Sequence, residues 1–249
     1  MIQTEKDNLK TTRMLDFKQA SIQALVEQKG WQLLSEYDAI GAIYSYVRDD
    51  ILFGYNADDR LTASQVLKDG YGQCNTKGTL LMALLRAVGI PTRFHGFTIY
   101  NELQRGAIPN YLFALAPDRI IHSWVEVYFD DKWINLEGYI IDRPYLNKVQ
   151  ASFSDQCTEF SGYGIATKCL QNPSIEWQGE DTYIQNEGIA DDFGIYTQPD
   201  DFYRSYGSNL SGVKKWLFRY VIRHLMNINV KKIRTKGVGK QVNTLLLNK

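Results

Sequence analysis

Cys74, His122 and Glu137 are the residues whose types and settings could do nucleophilic chemistry. Cys74 follows Gly70-Tyr71-Gly72-Gln73 and opens a strongly apolar stretch. Glycines ahead of it let the backbone turn sharply and leave the thiol uncrowded. If a helix starts here, its free backbone N–H groups carry partial positive charge. That favours thiolate, the reactive form, and the same N–H groups could bind a developing oxyanion. Taken alone, Cys74 reads equally well as a small buried hydrophobe.

The partners of the thiol come from a hairpin. His122 to Phe129 and Lys132 to Glu137 read as strands, with Asp130-Asp131 as a two-residue turn. In that register Trp124 faces Glu137 and His122 faces Tyr139, so His122 and Glu137 share one sheet face as diagonal neighbours. A carboxylate there accepts from one imidazole nitrogen and leaves the other to take a proton from Cys74. A turn of odd length would put the two on opposite faces. Each residue alone has a plainer reading: a satisfied core histidine, and a solvated hairpin charge.

Other elements must hold these residues. Residues 17 to 29 predict a helix stopped by Gly30, and residues 36 to 49 a second, capped by Ser35. Gly54 to Arg60 reads as an open loop. The strongest helix runs from Cys74 to Val88, with Leu80, Leu81, Leu84, Leu85 and Val88 in one stripe. Gly89 and Pro91 end it, and the chain turns extended through Arg93 to Ile99. Residues 100 to 119 read as a loop. Gly138 to Gly207 mixes aromatics with turn residues and predicts irregular packed structure. Residues 210 to 226 predict an amphipathic helix, and the last dozen residues are expected to be loose. A helix followed by antiparallel strands makes the class α+β.

Several linked segments then resemble the transglutaminase-like superfamily: Gly72-Gln73-Cys74, Leu84-Leu85-Arg86-Ala87-Val88-Gly89-Ile90-Pro91-Thr92-Arg93, His122-Ser123-Trp124-Val125-Glu126-Val127, and Trp133 four residues before Glu137. The resemblance spans about residues 35 to 140. It implies a papain-like cysteine proteinase fold with a transglutaminase-like core, the Cys helix packed on an antiparallel sheet. It also implies a catalytic triad of Cys74, His122 and an acid. That acid is usually Asp in the family, and Glu137 stands at its offset from Trp133. Asn135, two residues earlier on the same face, is the alternative orienter, as in Cys-His-Asn sites. Family members often place a side-chain oxyanion donor upstream of the Cys, which nominates Gln73 and Tyr71. Trp124 is expected to pack beside the site.

Composition bounds the function. The chain has 249 residues, enough for one substantial core, and 22% charged residues is ordinary for a globular protein. From Gly212 onward there are ten Lys or Arg and no acid, against an acidic remainder. An acidic body with a basic tail argues against a general nucleic-acid binder. No apolar run reaches the ~20 residues of a membrane helix. The polar N-terminal stretch lacks the pattern of a signal peptide, so reduced thiols and a cytoplasmic location are expected. Cys157 and Cys169 read as unpaired structural thiols, His95 as structural, His224 as surface, and Glu126 as a solvated edge charge, with a substrate-facing carboxylate as its alternative.

The expectation is a cysteine-dependent acyl transfer at an amide bond through a thioester, with no metal or organic cofactor. The substrate would be a peptide, protein or small amide. Water as acceptor gives a peptidase or amidase, and an amine gives a transglutaminase or amide synthase. Hydrolysis is favoured, because the calcium-dependent cross-linking members of the family are larger. A non-catalytic binding or scaffold protein retaining the fold is the rival of another class. Residues 1–140 are expected to form the helical N-terminal part and catalytic core. Residues 141–249 are expected to form an extension wrapping it, ending in a basic helix that could contact an acidic surface.

Overall fold

The computed structural model describes residues 7–113, 116–153 and 157–238. In chain order the helices are α1 (Ala20–Lys29), α2 (Glu36–Asp49), α3 (Ala63–Asp69), α4 (Cys74–Ala87), α5 (Asn110–Phe113), α6 (Arg143–Gln150) and α7 (Pro199–Tyr206). Three consecutive helical stretches follow, Gly212–Leu217, Phe218–Ile222 and Arg223–Lys236, here together called α8; the middle one has π geometry. The strands are β1 (Leu52–Phe53), β2 (Tyr71–Gly72), β3 (Thr92–Tyr100), β4 (Arg119–Phe129), β5 (Lys132–Leu136), β6 (Phe160–Gly162), β7 (Ile165–Thr167) and β8 (Ile189–Tyr196).

The class is α+β, with helices against an antiparallel sheet ordered β5-β4-β3-β8. The β4–β5 hairpin pairs Val125 with Leu136 and Phe129 with Lys132. Asp130 and Asp131 have φ of 51° and 57°. Positive φ at both positions is what a two-residue turn matching the strand twist requires. The register is therefore the one the alternation anticipated. Side chains of β4 divide accordingly: Ser123, Val125 and Val127 lie on one face, His122, Trp124 and Glu126 on the other.

Helix α4 is buried from Cys74 through Arg86, so its polar members must each find partners. Thr76 Oγ1 donates to Asn56 Oδ1 at 2.6 Å. Arg86 donates to Thr92 Oγ1 and to the carbonyls of Thr92 and Lys10, pinning the helix exit to β3 and to the N-terminal segment. Gly78 lets α4 lie close to its neighbours: a Cβ there would sit 2.6 Å from the Tyr139 hydroxyl and 3.5 Å from Val125 Cγ2. Ser35 caps α2 by accepting from the Asp38 N–H. Gly30 and Gly89 take left-handed φ of 64° and 85° at the exits of α1 and α4.

The structure departs from the sequence reading mainly after residue 138. The stretch read as irregular holds α6, β6, β7, β8 and α7. Strand β8 is an edge strand with mixed exposure, and its Asp191, Asp192 and Gly194 break the alternation that reveals strands. The C-terminal part thus completes the sheet through β3–β8 pairing. Helix α8 runs to Lys236, ten residues past the expected end, while the expectation for the last dozen residues falls almost wholly outside the described ones. Cys157 and Cys169 are not unpaired: they form a disulfide, Cα atoms 4.7 Å apart. The β6–β7 hairpin pairs Phe160 with Thr167, which brings the flanking cysteines together. Among the described residues no helix is long and apolar enough to cross a membrane.

Lys77 offers a test of this packing. Its ammonium is fully buried and donates to the carbonyls of Arg48 and Ile140, each at 3.0 Å. Burial pushes its pKa down to about 7, with Asp142 opposing. An unfolded lysine titrates near ~10.4. Between these values the unfolded chain holds a proton that the native one has released, so the Lys77 contribution to stability rises with pH. Below about pH 7 the penalty of its buried charge is present in full. Urea unfolding of wild type and Lys77→Met at pH 7 and pH 9 should show wild type gaining on the variant, by at most about 1.4 kcal/mol per pH unit. A difference independent of pH would mean the native ammonium keeps its ordinary affinity for the proton.

Candidate active site

The loop before α4 is held at both ends. Strand β2 pairs in parallel with β1, Leu52 with Tyr71 and Phe53 with Gly72. Gln73 is the N-cap, extended and joined to Thr76 in a reciprocal capping arrangement. Its Oε1 accepts from the Asn56 N–H at 2.9 Å, and its Nε2 donates to Asp59 Oδ1 at 2.9 Å. The next residue but one ties the helix start to the sheet. Asn75 Nδ2 donates to the Ile121 carbonyl and to Asp59 Oδ1, both at 3.1 Å, while Asn75 Oδ1 accepts from Ser123 Oγ at 2.9 Å. Ile121 and Ser123 flank His122, so one buried amide fixes the first turn of α4 against β4 on both sides of the imidazole. Tyr139 adds a bond from its hydroxyl to the Cys74 carbonyl, 3.1 Å.

His122 and Glu137 are both 0% exposed. His122 Nε2 lies 3.4 Å from Glu137 Oε1. The other carboxylate oxygen accepts from the N–H groups of Ile184 and Gln185, each at 2.9 Å, and Glu137's own N–H donates to Thr182. The carboxylate is therefore held by the strand on one side and by the 182–185 segment on the other. Phe97 meets the imidazole edge to face, centroids 4.8 Å apart, and lies tilted against Trp124. His122 Nδ1 is buried without any hydrogen-bond partner. With Nε2 turned to Glu137, Nδ1 is the ring nitrogen left without a hydrogen bond.

The thiol is buried and uncharged. Burial pushes the Cys74 pKa well up, and the nearby Asp59 carboxylate adds to the rise. The backbone N–H groups of Asn75 and Ser123 act the other way. A helix start was expected to favour thiolate; here loss of solvation outweighs it. Asp59 itself is raised by burial, although Gln73 and Asn75 donate to it. Tyr203 is a further resident of this region. Its hydroxyl is buried without a partner, and burial, then the nearby Asp59 carboxylate, raises its pKa.

Cys74 opens on a cavity of about 150 Å³ whose lining includes Gln73, Asn75, Asp58 and Asp59. Tyr71 is not part of that lining, and its hydroxyl accepts from Arg223 at 3.1 Å. Asn135 does not reach His122: its amide donates to Asp181 and to the Tyr183 hydroxyl. Trp124 packs against His95, Phe97 and Tyr183. Glu126 is no solvated charge. It is buried between Arg93, at 2.5 Å, and His95 Nδ1, at 2.9 Å, and His95 Nε2 meets Asp192 at 2.8 Å. Burial works against a charge on His95, but the two carboxylates prevail and raise its pKa. His224 is exposed on α8. Among the described residues no three His, Cys, Asp or Glu side chains gather as metal ligands. Asn75, Ser123, Asp59 and Tyr203 went unnoticed in the sequence. Asn75 did not stand out there, because Thr76, Lys77 and Thr79 are also polar in the first turns of α4.

Residues 23–138 match the family model of the Transglutaminase-like superfamily, a segment holding Cys74, His122 and Glu137. The match supports a cysteine-dependent enzyme in general terms. No curated protein matches the chain. Among solved structures the chain is similar to a candidate cysteine protease from Cytophaga hutchinsonii, with 15% identity, a TM-score of 0.46, and coverage of 79% of this chain and 48% of that one. It is also similar to red sea bream transglutaminase, with 13% identity, a TM-score of 0.28, and coverage of 74% and 27%. The chain thus spans less than half the length of either.

Two outcomes follow from this geometry. Asn75→Ala should leave Asp59 and Ser123 short of a partner and cost about 1–3 kcal/mol in chemical denaturation; an unchanged midpoint would show the staple to be idle. The thiol should be slow to alkylate with iodoacetamide at pH 7, its rate rising only above the ~8.5 of a free cysteine. Asp59→Asn, by removing a nearby negative charge, should shift that profile to lower pH. Fast reaction of wild type at pH 7 would show that the N–H groups prevail over burial.

Proposed function

We propose that this protein, transglutaminase-like over residues 23–138, is a cysteine-dependent amidase or peptidase working through a thioester. Cys74 is the nucleophile, His122 the base and then the acid, and Glu137 the group that orients the imidazole. The observation that carries this reading is the buried His122–Glu137 pair, which engages Nε2 and leaves Nδ1 unpartnered. Glu137 is preferred to Asn135 because Asn135 is committed to Asp181 and Tyr183.

A neutral thiol dictates the order of events. Sγ attacks the amide carbonyl carbon while its proton passes to His122 Nδ1, so no free thiolate need exist at rest. The positive charge that develops on the imidazole faces Glu137. The oxyanion forms near the start of α4, where the Asn75 N–H is aimed at the sulfur. Gln73 lines the same cavity and is better placed than Tyr71 to touch substrate. The C–N bond breaks as Nδ1–H protonates the leaving amine. Water, deprotonated by the same nitrogen, then cleaves the thioester and regenerates the thiol. An amine in place of water gives the transfer reaction.

A second reading, a binding protein that keeps the fold, draws on the neutral thiol and on the absence of any hydrogen bond to Nδ1. Turnover of acyl 4-nitroanilides separates the two. Cys74→Ala should abolish release of nitroaniline, and His122→Ala should lower kcat about 10²–10⁴-fold. Glu137→Gln should lower kcat substantially with the fold retained by circular dichroism. Intact mass of wild type quenched in acid should show an acyl adduct that Cys74→Ala lacks. Equal background rates in wild type and Cys74→Ala would favour the binding reading, and methylamine that speeds turnover while forming methylamide would favour transfer.

A further inference from the structure

The proposed reaction does not explain why the cavity at Cys74 is so apolar away from the thiol. Its walls are Ile99, Ile120 and Ile121 from β3 and β4, and its roof is Phe218, Ile222 and Met226 from α8. The polar groups collect beside Cys74 and are already partnered. Asp59 accepts from Gln73, Asn75 and Asn209, while Asp58 pairs with Lys215 at 2.7 Å and Arg219 at 3.4 Å. Lys215 of this lining is paired with Asp58, and Asp59 is hydrogen-bonded by amides, so the lining offers no free cation to a charged acyl group.

The roof is anchored independently of the cavity. Tyr55 N–H donates to Asn227 Oδ1 at 2.7 Å, and Asn227 Nδ2 returns a bond to the Tyr55 carbonyl at 3.0 Å. Asn229 donates to the carbonyls of Gly106 and Ala107. Farther along, Arg234 meets Asp142 at 2.7 Å. These ties hold α8 over the opening, and the apolar side chains beneath it stop short of filling the space. Apolar space of about 150 Å³ accepts a molecule the size of benzene. Apolar side chains lining space of that size beside the Cys74 thiol suit it to an apolar group.

We propose that this cavity is the acyl pocket: the substrate's acyl group is an uncharged aliphatic or phenyl chain of about six carbons, seated between the isoleucine walls and the α8 roof. The proposal rests on the acyl-transfer reading for which side of the scissile bond enters, but the pocket itself can be tested without turnover. Straight-chain primary amides from propanamide to decanamide are titrated calorimetrically into Cys74→Ala. Affinity should rise about fourfold per methylene and level off beyond about six carbons. Ile222→Glu should remove the gain. Ile222→Phe should shorten the longest chain that still gains, a result that misfolding cannot imitate. Affinity independent of chain length overturns the pocket. In parallel, wild type is assayed with 4-nitroanilides of the same acids, where kcat/KM should follow the same length dependence. Binding that grows with length but no hydrolysis removes the acyl-transfer reading and leaves the apolar site. Hydrolysis indifferent to acyl length removes the acyl pocket and leaves the acyl-transfer reading.

Discussion

The side chain of Asn75 sets the relation between the two halves of the site. Helix α4 and strand β4 meet through apolar packing, Gly78 against Val125 and Tyr139, and such contact is nondirectional. It fixes separation well and register poorly. The bonds from Asn75 to the Ile121 carbonyl and from Ser123 to Asn75 supply the missing direction. They grip the strand on both sides of His122, and the same amide reaches Asp59. Because all of this is buried, a slip of the helix would strand several polar groups at once, which makes the arrangement steep in energy.

The thiol shows how opposing terms settle in a closed site. Partial charge at a helix start favours thiolate, yet it acts over a short distance and on a group that still needs solvation. Cys74 has little solvent, and Asp59 lies nearby, so the neutral form prevails. A site of this kind does not store a reactive anion. What it holds in place is the imidazole of His122, with Nε2 toward Glu137 and Nδ1 without a hydrogen bond. Glu137 in turn depends on two N–H groups from the 184–185 segment. Residues well outside the region that resembles the family thus complete the orientation of its central histidine.

The basic tail takes on a structural meaning in the same way. Lys215 and Arg219 neutralise Asp58, Arg223 meets Tyr71, and Arg234 meets Asp142. Positive charge concentrated at the end of the sequence is spent in part on the chain's own acidic body, and this draws α8 across the opening beside Cys74.

Much was legible from local pattern. The α4 stripe, its glycine exit, the Ser35 cap and the Asp130-Asp131 turn each depend on a few adjacent residues, and the turn's even length fixed the parity of His122 and Glu137. What lay beyond reach depends on contacts between distant segments. Asn135 and Glu137 share a face, so alternation could not choose between them; the offset from Trp133 favoured Glu137, and in the fold Asp181 and Tyr183 occupy the Asn135 amide while Glu137 meets His122. Glu126 looked solvated until β3 laid Arg93 and His95 beside it. The Cys157–Cys169 disulfide needed the β6–β7 register, and the protonation of Cys74 needed burial that no spacing encodes. Sequence by itself determined the elements and the order of their reactive groups, because backbone propensity and side-chain alternation are local. Partner identity, charge state and the shape of the cavity were decided by tertiary structure, because solvation and hydrogen bonding depend on whatever the fold brings within a few ångströms.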